Sequence, residues 1–291
     1  MNASCLQCNL RRNLETVQAL GTDEQAMDFA LELMRLYLSA PKGVPSTWLT
    51  PQITQLLNRR YGLDMDRFRQ EKLESNALVL AHMDEIRERV RAAEDPVLAG
   101  LQFAILGNYL DFAALQGKVS FEKFTEMLDS AQEMRFDADV FRQLREDLSR
   151  GKRLLYLTDN AGEIGFDRIF AEEIARAHPQ LEITFCVRGG PALNDATRED
   201  AEAVGIPFPV IDNGNLIPGT QLDQLGAEAK AALDAADVIL AKGMANVETL
   251  YGCGYNLYYA FLVICQRFVD LFHNPLMTPM LVKEQHNTLE S

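Results

Sequence analysis

The sequence predicts an α/β protein, a doubly wound and mostly parallel sheet preceded by an α-helical domain. Three observations predict it. Up to about residue 150 the apolar residues recur at helical spacing. After Gly151 they gather into short runs of strand length: RLLYLT, ITFCVR, PFPVID, DVILAK and YYAFLVI. Between the first four runs lie helix-like segments, and strands alternating with helices imply parallel strands covered on both faces. The expected domains are therefore 1–148, helical, and 149–291, α/β. No internal repeat, low-complexity tract or Pro/Gly/Ser linker separates them, so the two halves are expected to pack together.

Each element has its own signal. Thr22 with Gln25 three residues on forms a capping box, and Ala26, Phe29, Ala30, Leu33, Met34 and Tyr37 keep helical spacing behind it. Thr50-Pro51 reads as a cap followed by the proline that helix starts tolerate. A longer helix is expected over Met65–Ala93, with HMDEIRERVRAAED as its charged face. Asp95-Pro96 restarts the chain into VLAGLQFAILGNYLDF, apolar nearly all round and so expected to be buried. Two further helices are expected from about Ser120 and about Asp137. In the second half the helices are EIGFDRIFAEEIARAH, TREDAEAVG and LDQLGAEAKAALDAA.

Composition narrows the function. In 291 residues, 28 Lys+Arg against 42 Asp+Glu give a formal charge of −14. That balance argues against nucleic acid or an anionic membrane as partner. No run approaches the ~20 apolar residues of a membrane span; the longest, Tyr258 to Cys265, is strand-sized. The first residues, MNASCLQCNLRR, hold no apolar signal-peptide core, and five cysteines do not suggest a disulfide framework. A cytoplasmic location is expected.

In an open parallel sheet, ligands bind beyond the carboxyl ends of the strands. RLLYLT ends in Asp159-Asn160-Ala161-Gly162-Glu163, and ITFCV in Arg188-Gly189-Gly190-Pro191 with Asn194-Asp195 just after. DVILA ends in Lys242-Gly243-Met244-Ala245-Asn246. Asp159, Asn160 and Asp195 offer oxygen ligands that suit Mg²⁺ or Mn²⁺ rather than zinc. Lys242 and Arg188 are candidates to neutralise phosphate oxygens, and the glycines let backbone N–H groups approach an anion. Such a site would run metal-assisted hydrolysis, the ion polarising a phosphoryl group and activating water. Each piece also has an ordinary reading: an Asx turn at Asp159, an N-cap at Asn194-Asp195, a plain strand exit at Lys242.

TDNAGEIGFDRIF, VRGGPALNDATREDA and ILAKGMANVETL resemble, in order, signature segments of the domain of unknown function 89 family, the metal-dependent damage-control phosphatases. Cys5-x-x-Cys8 and Gly107-Asn108-Tyr109-Leu110-Asp111 resemble its short prokaryotic branch. The resemblance implies a Rossmann-like fold behind a helical region, a divalent cation (Mg, Mn, Co or Ni) and activity on small phosphorylated metabolites. It places the metal on Asp159, Asn160 and Asp195 and a phosphate contact on Lys242. Asp159, Asp195 and Lys242 are thus the expected catalytic residues. Lys242, Gly243, Arg188, Asn194, Glu163 and Asn246 are the expected substrate contacts. Where relatives tend to have a Lys-Cys pair near the last strand, this chain has Ile264-Cys265, so that lysine's charge is absent.

Several other enzymes are excluded, for the chain lacks G-x-G-x-x-G, G-x-x-x-x-G-K-[ST], G-x-S-x-G and H-E-x-x-H. None of the four histidines (82, 178, 273, 286) adjoins a strand-end motif. The Asp159 segment also lacks the D-x-D-x-[TV] pattern of phosphatases that form an aspartyl-phosphate, so direct attack by water is expected. The alternatives are an S-adenosylmethionine-dependent carboxyl methyltransferase, disfavoured by the missing glycine-rich turn, and a non-catalytic metabolite- or metal-binding protein. Cys5 and Cys8 with Cys265 form a possible second, thiol site, against the simpler reading of free thiols. Tyr251, Tyr255, Tyr258 and Tyr259 line either a pocket or, more simply, the core.

Overall fold

The computed structural model describes residues 1–114, 126 and 128–284. The helix expected from about Ser120 lies largely outside these described residues. The N-terminal half supplies α1 (Ala3–Gln18), α2 (Asp23–Ser39), α3 (Thr50–Tyr61), α4 (Arg69–Ala92), α5 (Pro96–Ala114) and α6 (Ala138–Arg150). The second half runs β1 (Arg153–Leu157), α7 (Glu163–Ala177), β2 (Glu182–Val187), α8 (Arg198–Ala203), β3 (Val210–Asp212) and α9 (Ala227–Ala235). It continues through β4 (Val238–Lys242), α10 (Gly243–Leu250), β5 (Leu257–Leu262), α11 (Gln266–Phe272) and β6 (Pro279–Lys283).

Local signals act where the sequence puts them. The capping box of Thr22 and Gln25 opens α2, and Asp137 caps α6 through the amides of Asp139 and Val140. Thr50 is not a cap, because a 3₁₀ turn over Ser46–Leu49 runs straight into α3 and makes Thr50 its first residue. The expected helix at Met65 starts only at Arg69, after a turn.

The sheet has six strands in the order β3-β2-β1-β4-β5-β6. Five are parallel, and β6 pairs antiparallel with β5 at the edge. This is a doubly wound order with its switch point between β1 and β4. Neither β6 nor α11 was expected from the sequence. PMLVK opens on proline and is mostly half-buried, as an edge strand permits, so it carries no long apolar run. PFPVID shrinks to three residues, since its two prolines have no N–H to donate.

The central strands β4 and β5 are buried along their whole length. On one face Leu154, Tyr156, Leu240 and Tyr258 pack with Val97, Leu101, Leu144 and Phe170, so α5, α6 and α7 form one covering layer. On the other, Leu155, Ile239, Tyr259 and Phe261 pack with Leu233, Leu250 and Phe268 of α9, α10 and α11. α4 packs outside α5 and α7 through Val79, Met83, Phe103 and Phe166. α1, α2 and α3 share a smaller core of their own around Val17, Phe29, Leu33 and Leu56.

Candidate active site

The C-terminal ends of β2, β1 and β4, three neighbouring strands, bring the three sequence segments to one edge. The loops after β1 and β2 are bound together by their backbones. Ala196 N donates to Asp159 O (2.8 Å), Ala161 N to Asn194 O (2.9 Å) and Arg188 N to Ala196 O (2.9 Å), with Asn160 and Asp195 forming an antiparallel bridge. This stitching sets Asp159, Asn160 and Asp195 side by side, with exposures of 6%, 6% and 3%. Their ordinary readings fail. α7 is capped by Gly162 with no side-chain bond, and α8 is capped by Thr197 with Asp200.

A polar network holds the carboxylates. Asp159 Oδ2 accepts from Asn160 Nδ2 (2.8 Å) and from Asn108 Nδ2 (3.0 Å) on α5. Asn108 Nδ2 also reaches Glu163 Oε2 (2.9 Å), and Asn160 Nδ2 does so at 3.3 Å. Asn160 thereby spends its amide hydrogens inside the protein. Gly243 begins α10 with φ +73°, and a Cβ there would lie 1.8 Å from Asp159 Oδ2. Only glycine leaves this carboxylate its place.

Arg188, 1% exposed, donates from Nε to Asp195 Oδ2 (2.6 Å) and from Nη2 to Thr158 O (3.1 Å). Its buried Nη1 has no hydrogen-bond partner. Burial pushes the Asp195 carboxyl up, and the Arg188 charge opposes the rise.

Lys242 departs from its expected part as a phosphate contact. It is fully buried, and its three hydrogens are taken by Ala104 O (2.8 Å), Glu163 Oε1 (2.6 Å) and Asp167 Oδ1 (2.8 Å). Burial alone would depress its pKa, but the Asp167 and Glu163 charges outweigh burial and raise it. Asp167, on the same face of α7 as Glu163, also accepts from Tyr156 OH (2.7 Å), while its Oδ2 has no partner. Burial pushes its carboxyl to about 7 against the opposing Lys242 charge.

Glu163 and Asn246 are likewise occupied within the protein. Both Glu163 oxygens are engaged as above. Asn246 Nδ2 donates to Thr158 O (3.1 Å) and Lys242 O (2.7 Å), and its Oδ1 accepts from Thr220 Oγ1 (2.7 Å). These two hold the site rather than lie open to a ligand. Asn194 is half-buried on the Asp195 loop.

The buried residues fit a hard cation. Four carboxylates, Asp159, Glu163, Asp167 and Asp195, face two cations, Lys242 and Arg188. With all four ionised, acids outnumber bases by two in a region of low dielectric, where a divalent ion restores the balance. The donor set is oxygen only.

Several supporting residues received no role in the sequence reading, Asn108 among them although it lies in the Gly107–Asp111 motif. Asp167 stands at i+4 from Glu163, a same-face carboxylate pair that was a readable signal. Asn108 is a polar residue in an otherwise apolar helix; beside it a Cβ on Gly107 would meet Glu163 Cγ at 2.9 Å, so α5 and α7 approach closely there. Asn213 binds the amides of Gly189 (2.9 Å) and Asn215 (3.1 Å). On α4, Lys72 pairs with Asp200 (2.7 Å).

Other expected features stay apart from the site. Cys5, Cys8 and Cys265 are free thiols, and no group of three or more His, Cys, Asp or Glu side chains able to hold a metal occurs among the described residues, so the second thiol site does not assemble there. Tyr258 and Tyr259 sit in the two sheet cores, bonded to Asp147 (2.6 Å) and Glu284 (2.5 Å). A cavity of about 970 Å³ between α5, α6 and the end of α7, lined by Pro96, Phe136, Phe141 and Arg145, contains none of the site residues. No helix among the described residues is long and apolar enough to cross a membrane.

Comparison with known proteins places this geometry in a family. Residues 1–273 match the damage-control phosphatase ARMT1-like domain. A protein of Archaeoglobus fulgidus named damage-control phosphatase is 32% identical over 254 residues, covering 84% of this chain and 85% of that one. A damage-control phosphatase of Pyrococcus horikoshii is 35% identical over 187 residues, covering 64% of this chain and 63% of that one. The crystal structure of a DUF89 family protein from Pyrococcus horikoshii superposes with a TM-score of 0.84 at 26% identity, covering 98% of this chain and 99% of that one. With the match running through both the helical half and the strand-end site, the chain belongs to the damage-control phosphatase ARMT1-like (DUF89) family.

Proposed function

We propose that this protein is a metal-dependent phosphomonoester hydrolase of small phosphorylated metabolites, with a divalent cation held by Asp159, Asn160 and Asp195. Mg²⁺ and Mn²⁺ suit the donors best, with Co²⁺ and Ni²⁺ next. One observation carries the reading: three oxygen donors from the neighbouring ends of β1 and β2 meet beside the switch point, buried among excess carboxylates, with Gly243 of the β4 end keeping Asp159 in place. When bound, such a cation polarises a phosphoryl oxygen and acidifies water.

The chain's own residues do the rest. Asn108 and Asn160 orient the Asp159 carboxylate, and Arg188 Nε orients Asp195. Arg188 Nη1, a buried donor without a partner, is the group offered to a phosphoryl oxygen as charge builds there. Asn194 joins it as a substrate contact. Lys242 acts as a positioning residue that ties α7 to β4 through Glu163 and Asp167. Hydrolysis is direct, since no phosphoaspartate pattern surrounds Asp159. Nothing in the fold or the relatives favours a methyltransferase.

The test is turnover on a panel of phosphorylated metabolites after dialysis against chelator and after return of each metal. Activity should vanish on chelation and return with metal, and Asp159→Ala and Asp195→Ala should abolish it with circular dichroism unchanged. Wild-type turnover by either variant at limiting metal would defeat the ligand assignment. A phosphorylated Asp159 trapped by mass spectrometry would defeat direct hydrolysis.

A further inference from the structure

Away from the site, α2 carries an apolar stripe. Met27, Leu31, Met34 and Leu38 are exposed to 61%, 45%, 48% and 84%. Their spacing of four, three and four residues puts them on one face of the helix. The other face of α2, with Ala26, Phe29, Ala30 and Leu33, is already buried in the small core shared with α1 and α3. The stripe is therefore not spent on holding the protomer together. Singly exposed leucines are ordinary, but a contiguous row of large apolar side chains marks an interaction surface.

We infer that α2 forms the interface of a two-fold homodimer, each copy's α2 lying antiparallel along the other's. The charges beside the stripe select this occupant. Asp28 and Arg35 follow Met27 and Met34 on the solvent side; both are exposed, and neither has an ion pair in the protomer among the described residues. Antiparallel pairing sets Leu31 opposite the partner's Met34 and Met27 opposite the partner's Leu38. It brings Asp28 within a turn of the partner's Arg35, and the symmetric contact repeats the pair. Parallel pairing would instead put the two copies' Asp28, and their Arg35, on opposite flanks of the seam, where neither meets its complement. The ends agree, with Asp23 and Glu24 opening the helix and Lys42 following it. A surface complementary to itself in one orientation is what a two-fold interface requires.

The size is sufficient for a modest affinity. A helix of 17 residues is about 25 Å long, and two packed along that length bury on the order of 1,000 Å² in all, the low end for specific complexes. A micromolar dissociation constant is expected.

The measurement is sedimentation velocity of the full chain across low to high micromolar concentration, without substrate or metal. Wild type should dimerise over this range. Leu31→Glu should be monomeric, and Asp28→Arg should weaken association at least tenfold. The double exchange Asp28→Arg with Arg35→Asp should restore association close to wild type. All these positions are exposed, so melting temperatures taken at concentrations low enough for every variant to be monomeric should match and report that the variants fold. A wild type monomeric throughout overturns the proposal. So does a dimer indifferent to Leu31→Glu, or a charge reversal that the double exchange does not repair.

Discussion

Asn76 of α4 and Gly162 of the loop after β1 are joined by a 2.7 Å hydrogen bond, the Gly162 amide donating to Asn76 Oδ1. The same side chain donates from Nδ2 to Asp200 Oδ1 (2.9 Å), and Lys72, one turn earlier, pairs with the other oxygen of that carboxylate (2.7 Å). Asp200 in turn holds Thr197, which closes the Asp195 loop. One helix of the N-terminal half thus clamps both loops that carry the proposed ligands. Asn76→Ala should cost about 1–3 kcal/mol, the scale for stranding buried polar partners. It should also raise the metal concentration needed for half-maximal activity, read from metal titrations beside denaturant melts. Unchanged metal dependence would make Asn76 a purely structural residue.

Gly243→Ala tests the space beside Asp159. The new methyl would overlap the carboxylate, and φ +73° is strained for alanine. Displacing a reacting group by an ångström costs about 10²-fold, so the expected fall in kcat/KM is of that order. Metal-induced thermal stabilisation should shrink in parallel. A fully active alanine variant would show that Asp159 need not hold its position.

Lys242→Met leaves Glu163 and Asp167 buried with no countercharge. Removing one partner of a buried ion pair costs about 3–5 kcal/mol. Catalytic efficiency should fall by about 10²-fold, the scale of a misplaced reacting group. Adding Asp167→Asn removes one stranded charge and should recover part of the melting loss. A single variant as stable as wild type would contradict the positioning role.

Asp167 gives a pH signature. Burial raises its carboxyl from 3.8 to about 7 in the folded protein. The native state therefore binds the proton more tightly than the unfolded chain, and its contribution to stability is lost as pH rises from about 4 through 7. Denaturation midpoints of wild type should fall more steeply over that interval than those of Asp167→Asn, which has no such proton to lose. Parallel profiles would show that the group titrates normally.

The α/β class, the helical N-terminal half and the three strand-end segments were all readable in the chain. Periodicity is a local property, and parallel strands oblige their carboxyl ends to share an edge. Asp159, Asn160 and Asp195 come together on that rule alone. The edge strand β6 escaped because half-buried pairing needs no apolar run. The part played by Lys242 was decided elsewhere: its partners Asp167, Glu163 and Ala104 lie 75, 79 and 138 positions away. Asn108 and Asn76 come from helices of the other half, with no local pattern tying them to the strand ends. A buried charge or amide takes its role from whichever groups satisfy it, and packing of α4, α5 and α7 against the sheet selects those groups. Sequence spacing along a strand or helix therefore locates the site, while the three-dimensional arrangement decides which of its side chains are spent within the protein and which, like Arg188 Nη1, keep a donor for something else.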